Sequence, residues 1–318
     1  MKAVVIRFSS LGDVVLATAP VEALHRAGWE IGFVTKPQYA PLFLDDNRIS
    51  QIFEFNGILS TAQKIRSFKP DWVIDLQRTG RSMILSGLLG AKVIRTTKWS
   101  LERRLLVGLG KGDRTPKSVV DAHLAALARL GISHIGALPK VFPTSKGLSF
   151  AHDFIGHIKK PIAAIHPGAK HSLKNWGNER FLRLSEILAE QGFSVIIISD
   201  ELPLAYPLPV QFTGQLSLEE LVGILAHSDL FIGNDSGPVH IASALEVPSL
   251  SIFGPTHPSL GFAPRGKYAA YITEDVACSP CTLHGDGACK FDKQKCFDSL
   301  TSELVAKKAI EIFKSKYA

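Results

Sequence analysis

The sequence has few aromatic residues, few cysteines and a modest share of charges for its length of 318 residues. Aromatic residues make up 8%, charged residues 20% and hydrophobic residues 46% of the chain, and there are four cysteines. A disordered tail protein, a collagen-like fibre and a disulfide-rich miniprotein each need a different composition. The composition therefore predicts an ordinary globular protein, and the length favours two domains with separate cores.

Long apolar runs are missing as well. A run such as Val195–Ile198 is far shorter than the roughly 20 residues that a membrane-spanning helix needs. At the N-terminus, Arg7 ends an apolar run that is too short for a signal peptide. We therefore expect a cytoplasmic protein whose cysteines are mostly reduced.

The net positive charge of the chain lies in its first half. Residues 1–160 hold 23 Lys and Arg against 12 Asp and Glu, a net charge of +11, whereas residues 161–318 hold 13 against 17, a net charge of −4. A basic half is typical of proteins that bind nucleic acid, an anionic membrane surface or an acidic small substrate. Nucleic acid is disfavoured, because no basic stripe is interleaved with aromatic residues and the cysteines lie in the acidic half.

Short β-branched runs alternate with helix-length segments in both halves. In the first half they are Ala3–Ile6, Ile31–Val34, Gln51–Phe55, Trp72–Asp75 and Lys92–Ile94, and in the second Ile162–Ile165, Ser194–Ser199, Leu230–Ile232 and Ser249–Phe253. This rhythm predicts two parallel α/β sheets. Residues 136–160 contain two prolines and several glycines and suit a linker, so we place a domain boundary near residue 158. An amphipathic helix is expected over 300–317.

The segment after the first predicted strand, Arg7-Phe8-Ser9-Ser10-Leu11-Gly12-Asp13, occupies the usual place for ligand contacts in a parallel α/β sheet. Gly12 permits a tight turn, and Ser9 and Ser10 offer hydroxyl groups. Asp13 is either a ligand-facing carboxylate or a simple helix N-cap. The segment matches neither of the glycine-rich phosphate-binding patterns.

Two segments of the second half have the chemistry of an anion site. Phe231–His240 is a strand followed by the turn Asn234-Asp235-Ser236-Gly237 and a helix over 241–245, and a helix start attracts phosphate through its free N–H groups. His166-Pro167-Gly168-Ala169 follows another strand, with Lys174 shortly downstream as a point charge for phosphate oxygens. Helix capping and a solvated surface lysine are the simpler interpretations.

Two arginines follow the strand 72–75. Arg78 and Arg81 lie in Asp75-Leu76-Gln77-Arg78-Thr79-Gly80-Arg81, where they could grip a carboxylate or phosphate, or simply be solvated.

All four cysteines fall in one loop with the spacing C-x2-C-x7-C-x6-C, at Cys278, Cys281, Cys289 and Cys296. Such a cluster can hold a structural zinc ion, or less readily an iron–sulfur centre. The longer spacings fit no standard zinc finger, so free or paired thiols stay open as alternatives.

These segments, taken in order, resemble the ADP-heptose:lipopolysaccharide heptosyltransferases of glycosyltransferase family nine. The segments that carry the resemblance are Ser9–Asp13, Asp75–Ser82, Pro167–Trp176, Asn234–His240, Phe253-Gly254-Pro255-Thr256 and Cys278-Ser279-Pro280-Cys281. The cysteine loop points to the heptosyltransferase II branch. The resemblance implies the GT-B architecture, with two Rossmann-like domains, 1–158 for the acceptor and 159–318 for the nucleotide sugar, facing a central cleft. In this architecture the last helix can pack back on the first domain.

The implied activity is inverting transfer of heptose from ADP-heptose to the anionic inner core of lipopolysaccharide, with no catalytic cofactor and peripheral contact with the cytoplasmic face of the inner membrane. Asp13 matches the general base and Lys174 a lysine that contacts the donor diphosphate. The donor-binding residues implied are His166, Gly168, Ala169, Lys174, Asp235, Ser236, Gly237, Pro238 and His240. The acceptor-binding residues implied are Arg7, Ser9, Ser10, Gly12, Gln77, Arg78 and Arg81.

The basic first half agrees with this interpretation independently, because it suits a phosphorylated and carboxylated glycolipid. One region departs from the family. Residues 199–209 are short and rich in proline where the family has a longer turn and a helix, so Glu201 is the candidate for the ribose contact. Another nucleotide sugar, and a different surface glycan as acceptor, therefore remain an alternative.

Overall fold

A computed structural model describes residues 1–110, 112–133, 135–199, 211–291 and 293–317. The described chain divides into two compact units, one formed by Met1–Lys98 and Val119–Ser145, the other by Trp99–Ser118 and the chain from Lys146 onward. The second unit thus includes a segment from the basic half of the sequence. The boundary near residue 158 stays a prediction for the two functional domains.

The first unit is built on a five-stranded parallel sheet. Its strands are β1 (Lys2–Ile6), β2 (Glu30–Thr35), β3 (Gln51–Glu54), β4 (Trp72–Asp75) and β5 (Lys92–Arg95), in the order β3-β2-β1-β4-β5. β1 is almost fully buried, because helices cover both faces of a parallel sheet. The predicted strands of this half are confirmed to within one residue at each end.

The helices in this part of the chain are α1 (Leu11–Leu16), α2 (Thr18–Arg26), α3 (Ile58–Phe68), α4 (Gly80–Gly87), α5 (Ser100–Leu109) and α6 (Val119–Ala128). α5 is grouped with the second unit. After β1 the chain forms two successive helices, α1 and α2, rather than one continuous helix. Pro20 lacks the N–H that would bond to the carbonyl of Leu16 in a continuous helix.

A buried charge cluster lies beside α2. Glu22 accepts hydrogen bonds from Arg48 Nη1 at 3.0 Å, from Arg26 Nε at 2.8 Å and from Lys140 Nζ at 3.0 Å. Arg48 also donates to the buried carboxylate of Asp46 at 2.6 Å. Burial raises the pKa of Glu22, but its three cationic partners outweigh burial and lower this pKa from 4.5 to about 2.

Glu22→Gln is expected to lower the free energy of unfolding at neutral pH by on the order of 2 kcal/mol, because it removes a buried charge that pairs with the buried Arg48 and with the partly exposed Arg26 and Lys140. A carboxylate with a depressed pKa stabilises the fold above the pKa of the unfolded chain, and this stabilisation is lost as the pH falls from 4.5 towards 2. Denaturant unfolding at neutral pH and at a pH close to the lowered pKa of Glu22 measures this effect. The difference in free energy of unfolding between Glu22→Gln and wild type should be smaller at the acidic pH. Glu30→Gln, which removes an exposed partner of Lys2, is the matched control. Equal stability of the two variants at neutral pH would contradict this account.

The second unit contains a six-stranded parallel sheet. Its strands are β6 (Ile162–His166), β7 (Ser194–Ile197), β8 (Gln211–Phe212), β9 (Leu230–Asn234), β10 (Ser249–Phe253) and β11 (Ala269–Thr273), in the order β11-β10-β9-β6-β7-β8. The remaining helices are α7 (Ser145–Ile155), α8 (Asn178–Glu190), α9 (Leu218–His227), α10 (Gly237–Ala244) and α11 (Ser302–Tyr317). β8 and β11 were not predicted from the sequence.

Helix α7 corrects the prediction of a linker over 136–160. Gly147, one of the glycines of the predicted linker, is instead a packing residue, because a Cβ added to Gly223 of α9 would lie 2.0 Å from the carbonyl oxygen of Gly147. Two glycines thus allow two helices to approach closely. The N–H of Gly156 donates to the carbonyl of His152 at 2.8 Å, just beyond the last residue of the helix.

The predicted C-terminal helix is confirmed as α11. Val305, Ala306, Ala309 and Ile312 are buried in the core of the second unit, where α11 packs on α8 and on the sheet. The apolar side of α11 therefore packs within the second unit. In the part of the chain that the structure describes, every helix is too short or too polar to cross a bilayer.

The order of the strands determines where ligands can be bound. In the first sheet the chain proceeds outward from β1 to β3 on one side and from β4 to β5 on the other, and in the second sheet from β6 to β8 and from β9 to β11. Ligands of open α/β sheets bind at the carboxyl ends of the strands where the order reverses. The loops at these two points are 7–13 and 75–82, here called the first-unit loops, and 166–176 and 234–240, the second-unit loops.

Candidate functional site

Asp13 lies in the first turn of α1, with Ser10 as the N-cap residue. Its carboxylate forms an ion pair with Arg7 and accepts hydrogen bonds from Ser10 Oγ at 2.8 Å and Ser10 N at 3.2 Å. Burial raises the pKa of Asp13, but Arg7 and Ser10 outweigh burial and hold the pKa below its usual value. Asp13 is therefore ionised at neutral pH, and it caps the helix from its third position rather than from the N-cap itself.

Arg7 and Gln77 connect the two first-unit loops. Arg7 Nη1 donates to the carbonyl of Leu76 at 2.7 Å, and the side-chain oxygen of Gln77 accepts from Phe8 N at 2.9 Å and Ser9 N at 3.4 Å. The sequence placed Arg7, Ser9 and Gln77 in an acceptor site. The structure brings them together, and the side-chain oxygen of Gln77 is engaged by the backbone of the neighbouring loop.

Asp75 shapes the second of these loops. Its buried carboxylate accepts from Arg78 N at 2.8 Å and from Gln77 N at 3.1 Å. Arg78 has a φ of 48°, a left-handed conformation that a residue other than glycine adopts only when its surroundings favour it. Its guanidinium donates to the carbonyl of Thr96 at 3.2 Å, while Arg81 is exposed at the start of α4.

Lys98 is a cation of the same edge that the sequence did not single out. Its Nζ donates to the carbonyl of Arg78 at 2.9 Å, and it forms no ion pair within the described residues. Burial lowers the pKa of Lys98, and so do Arg7 and Arg78, whereas Asp75 and Asp13 act in the opposite direction. The first-unit loops thus hold an ionised carboxylate among several cations. The position of Lys98 shortly after β5 is the signal that could have indicated it.

Asn234, the last residue of β9, connects the second-unit loops. It is fully buried, its side-chain N–H donates to the carbonyl of Pro167 at 2.7 Å, and its side-chain oxygen accepts from Trp176 N at 3.1 Å. His166 ends the neighbouring strand β6, opposite Gly233. A Cβ on Gly168 would lie 3.1 Å from the ring of His166, so glycine suits this close turn.

Lys174 and Asp235 form an ion pair between the two second-unit loops. Lys174 Nζ lies 2.7 Å from Asp235 Oδ2 and donates to the carbonyl of Asp235 at 3.2 Å. Thr256 Oγ1 donates to the same carboxylate oxygen at 2.8 Å. Lys174 is therefore a held, largely buried cation rather than a solvated surface lysine. Thr256 belongs to a segment that the sequence singled out, but its contact with Asp235 was not foreseen.

Helix α10 begins four residues earlier than the sequence predicted, at Gly237, with Ser236 as its N-cap and Pro238 in its first turn. Proline is tolerated there because the first N–H groups of a helix have no partner within the helix. Ser236 Oγ is buried and makes no hydrogen bond within the described residues. His240 is buried in the same helix, and Ala169 lies half-buried near Gly168. Glu201 lies outside the described residues.

The cysteine loop packs against the segment that carries Lys174. A Cβ on Gly285 would lie 2.6 Å from Lys174 Cγ, and Gln294 Nε2 donates to the carbonyl of Leu173 at 2.7 Å. Ser279 Oγ also donates to the carbonyl of Gly254 at 2.7 Å. The loop therefore supports both Lys174 and the segment that contains Thr256.

The four thiols are free, and Cys296 is buried. Burial raises the pKa of Cys296 to about 12, and Cys281 and Cys278 add to the effect. Within the described ranges, however, no group of three or more His, Cys, Asp or Glu side chains is arranged to hold a metal ion. The structural zinc site therefore stays a prediction, which elemental analysis of protein purified without added metal would test.

Comparison with known proteins identifies the fold and the family. Lipopolysaccharide heptosyltransferase 3 of Escherichia coli is 25% identical over 281 residues, which cover 77% of this chain and 81% of that protein. The structure of the glycosyl transferase family 9 protein from Veillonella parvula DSM 2008 has a TM-score of 0.78 and 21% identity, covering 99% of this chain and 97% of that one. E. coli ADP-heptose LPS heptosyltransferase II has a TM-score of 0.75 and 18% identity over the full length of both chains.

The GT-B fold predicted from the sequence is confirmed by these structures. The sequence model of glycosyltransferase family 9 (heptosyltransferase) matches residues 58–290, well over half of the chain. The protein therefore belongs to glycosyltransferase family 9, the heptosyltransferases.

Proposed function

We propose that this protein transfers a heptose from ADP-heptose to the inner core of lipopolysaccharide, with inversion at the anomeric carbon. Its relatives include lipopolysaccharide heptosyltransferases, and one structural neighbour is an ADP-heptose heptosyltransferase. The observation that carries the proposal is that each sheet has charged groups at the strand ends where its strand order reverses. An ionised carboxylate, Asp13, lies at one, and a held cation, Lys174, lies beside a helix start at the other.

The proposed reaction is a single displacement. An oxygen of the acceptor sugar forms the new bond to the anomeric carbon, the bond from that carbon to the donor's phosphate oxygen breaks, and ADP leaves with the electron pair. The acceptor hydroxyl's proton passes to the carboxylate of Asp13, which acts as general base. Because the pKa of Asp13 is low, the carboxylate is ionised before reaction, and the proton moves as the attacking oxygen becomes acidic.

Lys174 would compensate the charge that gathers on the departing diphosphate. The start of α10 would add a second source of positive potential, because its first N–H groups have no partner within the helix. Ser236 Oγ, buried and without a hydrogen bond within the described residues, supplies a further donor for a phosphate oxygen. In this assignment the protein balances the charge of the leaving group, and no metal ion takes part.

The first-unit loops would bind the acceptor. Arg7, Arg78 and Lys98 outnumber the carboxylates of Asp13 and Asp75, which suits phosphate and carboxylate groups on an inner-core glycolipid. Such an acceptor is anchored in a membrane, so we place the reaction at the cytoplasmic face of the inner membrane, with peripheral contact. The net charge of +11 over residues 1–160 supports this placement.

Thermal unfolding with a panel of nucleotide sugars tests the donor assignment. A ligand that binds only the folded protein raises its unfolding temperature, and at equal concentration the ligand with the lower Kd raises it more. We expect ADP-heptose to raise this temperature more than UDP-sugars or GDP-sugars do at equal concentration. A larger effect from a UDP- or GDP-sugar would favour the alternative of a related transferase with another donor, which the departure at residues 199–209 keeps open.

A further inference from the structure

Helix α5 exposes a row of leucines. Leu101, Leu105 and Leu109 are 71%, 42% and 65% exposed. Residues four apart lie on the same side of a helix, so the three side chains form one surface, here called the leucine face. Leu106 on the other side is buried. Single exposed leucines are common, whereas a row along one helix marks a surface that contacts something else.

The charges of α5 are arranged around this face. Arg104 is exposed beside the leucines. Arg103 is turned towards rings, with its guanidinium carbon 4.7 Å from the ring centre of Phe262 and 5.5 Å from that of Trp99. Glu102, the one acidic residue of the helix, is paired with Lys117 at 2.7 Å. The leucine face is therefore bordered by a positive charge, and the helix's carboxylate is already neutralised.

We propose that the leucine face docks on an anionic lipid bilayer. This inference deepens the proposed function and rests on it, because the acceptor would be anchored in a membrane. A helix with leucines on one side and basic residues beside them lies in the plane of the membrane, with its apolar side about 5–10 Å into the headgroup region. The three leucines span about 12 Å of helix, enough for such a contact.

A second copy of the chain fits the same surface less well. A stable interface between proteins buries about 800 Å² on each partner. Three partly exposed leucines on a ten-residue helix offer much less than this area.

Flotation of the full-length protein with vesicles tests the inference. The wild type is expected to float with vesicles of phosphatidylethanolamine and phosphatidylglycerol, and to float less with phosphatidylcholine alone or at high salt. The triple variant Leu101→Ser/Leu105→Ser/Leu109→Ser should bind the anionic vesicles about tenfold more weakly, since it loses the apolar contact. Arg104→Glu should weaken binding to a smaller extent.

Leu59→Ser in α3 is the matched control, because Leu59 is 76% exposed on another helix and its variant should float like the wild type. Unchanged flotation of the triple variant would overturn the inference. The inference would also be overturned if sedimentation equilibrium showed the wild type to be a dimer and the triple variant a monomer. The rise in the triple variant's unfolding temperature on addition of ADP-heptose separates a failure of the membrane inference from a failure of the proposed function. A normal response with normal flotation contradicts only the membrane surface, whereas a wild type with no response contradicts the proposed function.

Discussion

Asp13→Asn is expected to lower kcat by about 10²–10⁴-fold, the usual contribution of a general base. Asparagine has nearly the same shape, and its amide oxygen can still accept the hydrogen bonds from Ser10, but it cannot take up the acceptor's proton. The KM for ADP-heptose should change little, because the donor's diphosphate is assigned to the second-unit loops. Initial rates of ADP release with a truncated core glycolipid would measure both constants.

Two variants separate the role as base from the role in capping α1. Ser10→Ala removes the hydroxyl hydrogen bond to Asp13 but keeps the backbone N–H bond and the carboxylate, so its loss of kcat should be much smaller. Asp71→Asn removes a carboxylate that accepts from Lys2 N just before β4, at the opposite end of the sheet, and should behave like the wild type. Equal losses for Asp13→Asn and Ser10→Ala would identify a structural role and remove Asp13 from the mechanism.

The pH profile offers a second view of the same residue. Because Arg7 and Ser10 hold the pKa of Asp13 below its usual value, the carboxylate is ionised throughout the neutral range. We expect the rate to show no loss that is attributable to protonation of Asp13 between about pH 5 and pH 8.

Lys174→Met is expected to lower kcat by about 10²–10³-fold, as seen when a group that stabilises developing negative charge is removed. Methionine retains an unbranched stem that can pack beside Gly285, while the charge is lost. The KM for the donor should also rise, because Asp235 would then present an unbalanced carboxylate to the diphosphate. Steady-state kinetics with ADP-heptose, supported by thermal unfolding of each variant, would measure these effects.

The double variant Lys174→Met/Asp235→Asn distinguishes the two contributions. It removes the attraction between Lys174 and the diphosphate and also the repulsion between Asp235 and the diphosphate. The KM for the donor should therefore recover in part while kcat stays low. Lys160→Met is the matched control, since Lys160 pairs with Asp229 at the amino ends of β6 and β9, opposite to the ends that carry the second-unit loops. Normal kcat in Lys174→Met would show that the lysine serves Asp235 and the fold, and that the diphosphate is balanced elsewhere.

The sequence predicted most of the strands because these signals are local. Buried parallel strands such as Trp72–Asp75 and Ser249–Phe253 are short apolar runs bounded by turn residues, and the structure has both with the same bounds. Once the strands are known, the loops at their carboxyl ends follow. Asp13 and Lys174 could thus be named before their partners were known.

Other features depend on contacts between distant parts of the chain. The glycine at position 147 favoured a linker over a helix. The residue that it packs against, Gly223, lies far away in the sequence, so the packing could not be foreseen. Lys98 was missed, and the contact of Thr256 with Asp235 was not foreseen, for a similar reason, since both depend on groups at neighbouring strand ends. A local pattern cannot reveal that a lysine or threonine faces a particular loop.

Mass spectrometry of the product formed from ADP-heptose and a defined, truncated core glycolipid tests the central claim most directly. Wild-type protein is predicted to yield an acceptor heavier by one heptose residue, with release of ADP, and Asp13→Asn to yield almost none in the same time. An unmodified acceptor from folded wild-type protein, together with transfer of a different sugar from another nucleotide donor, would contradict the assignment of heptose transfer.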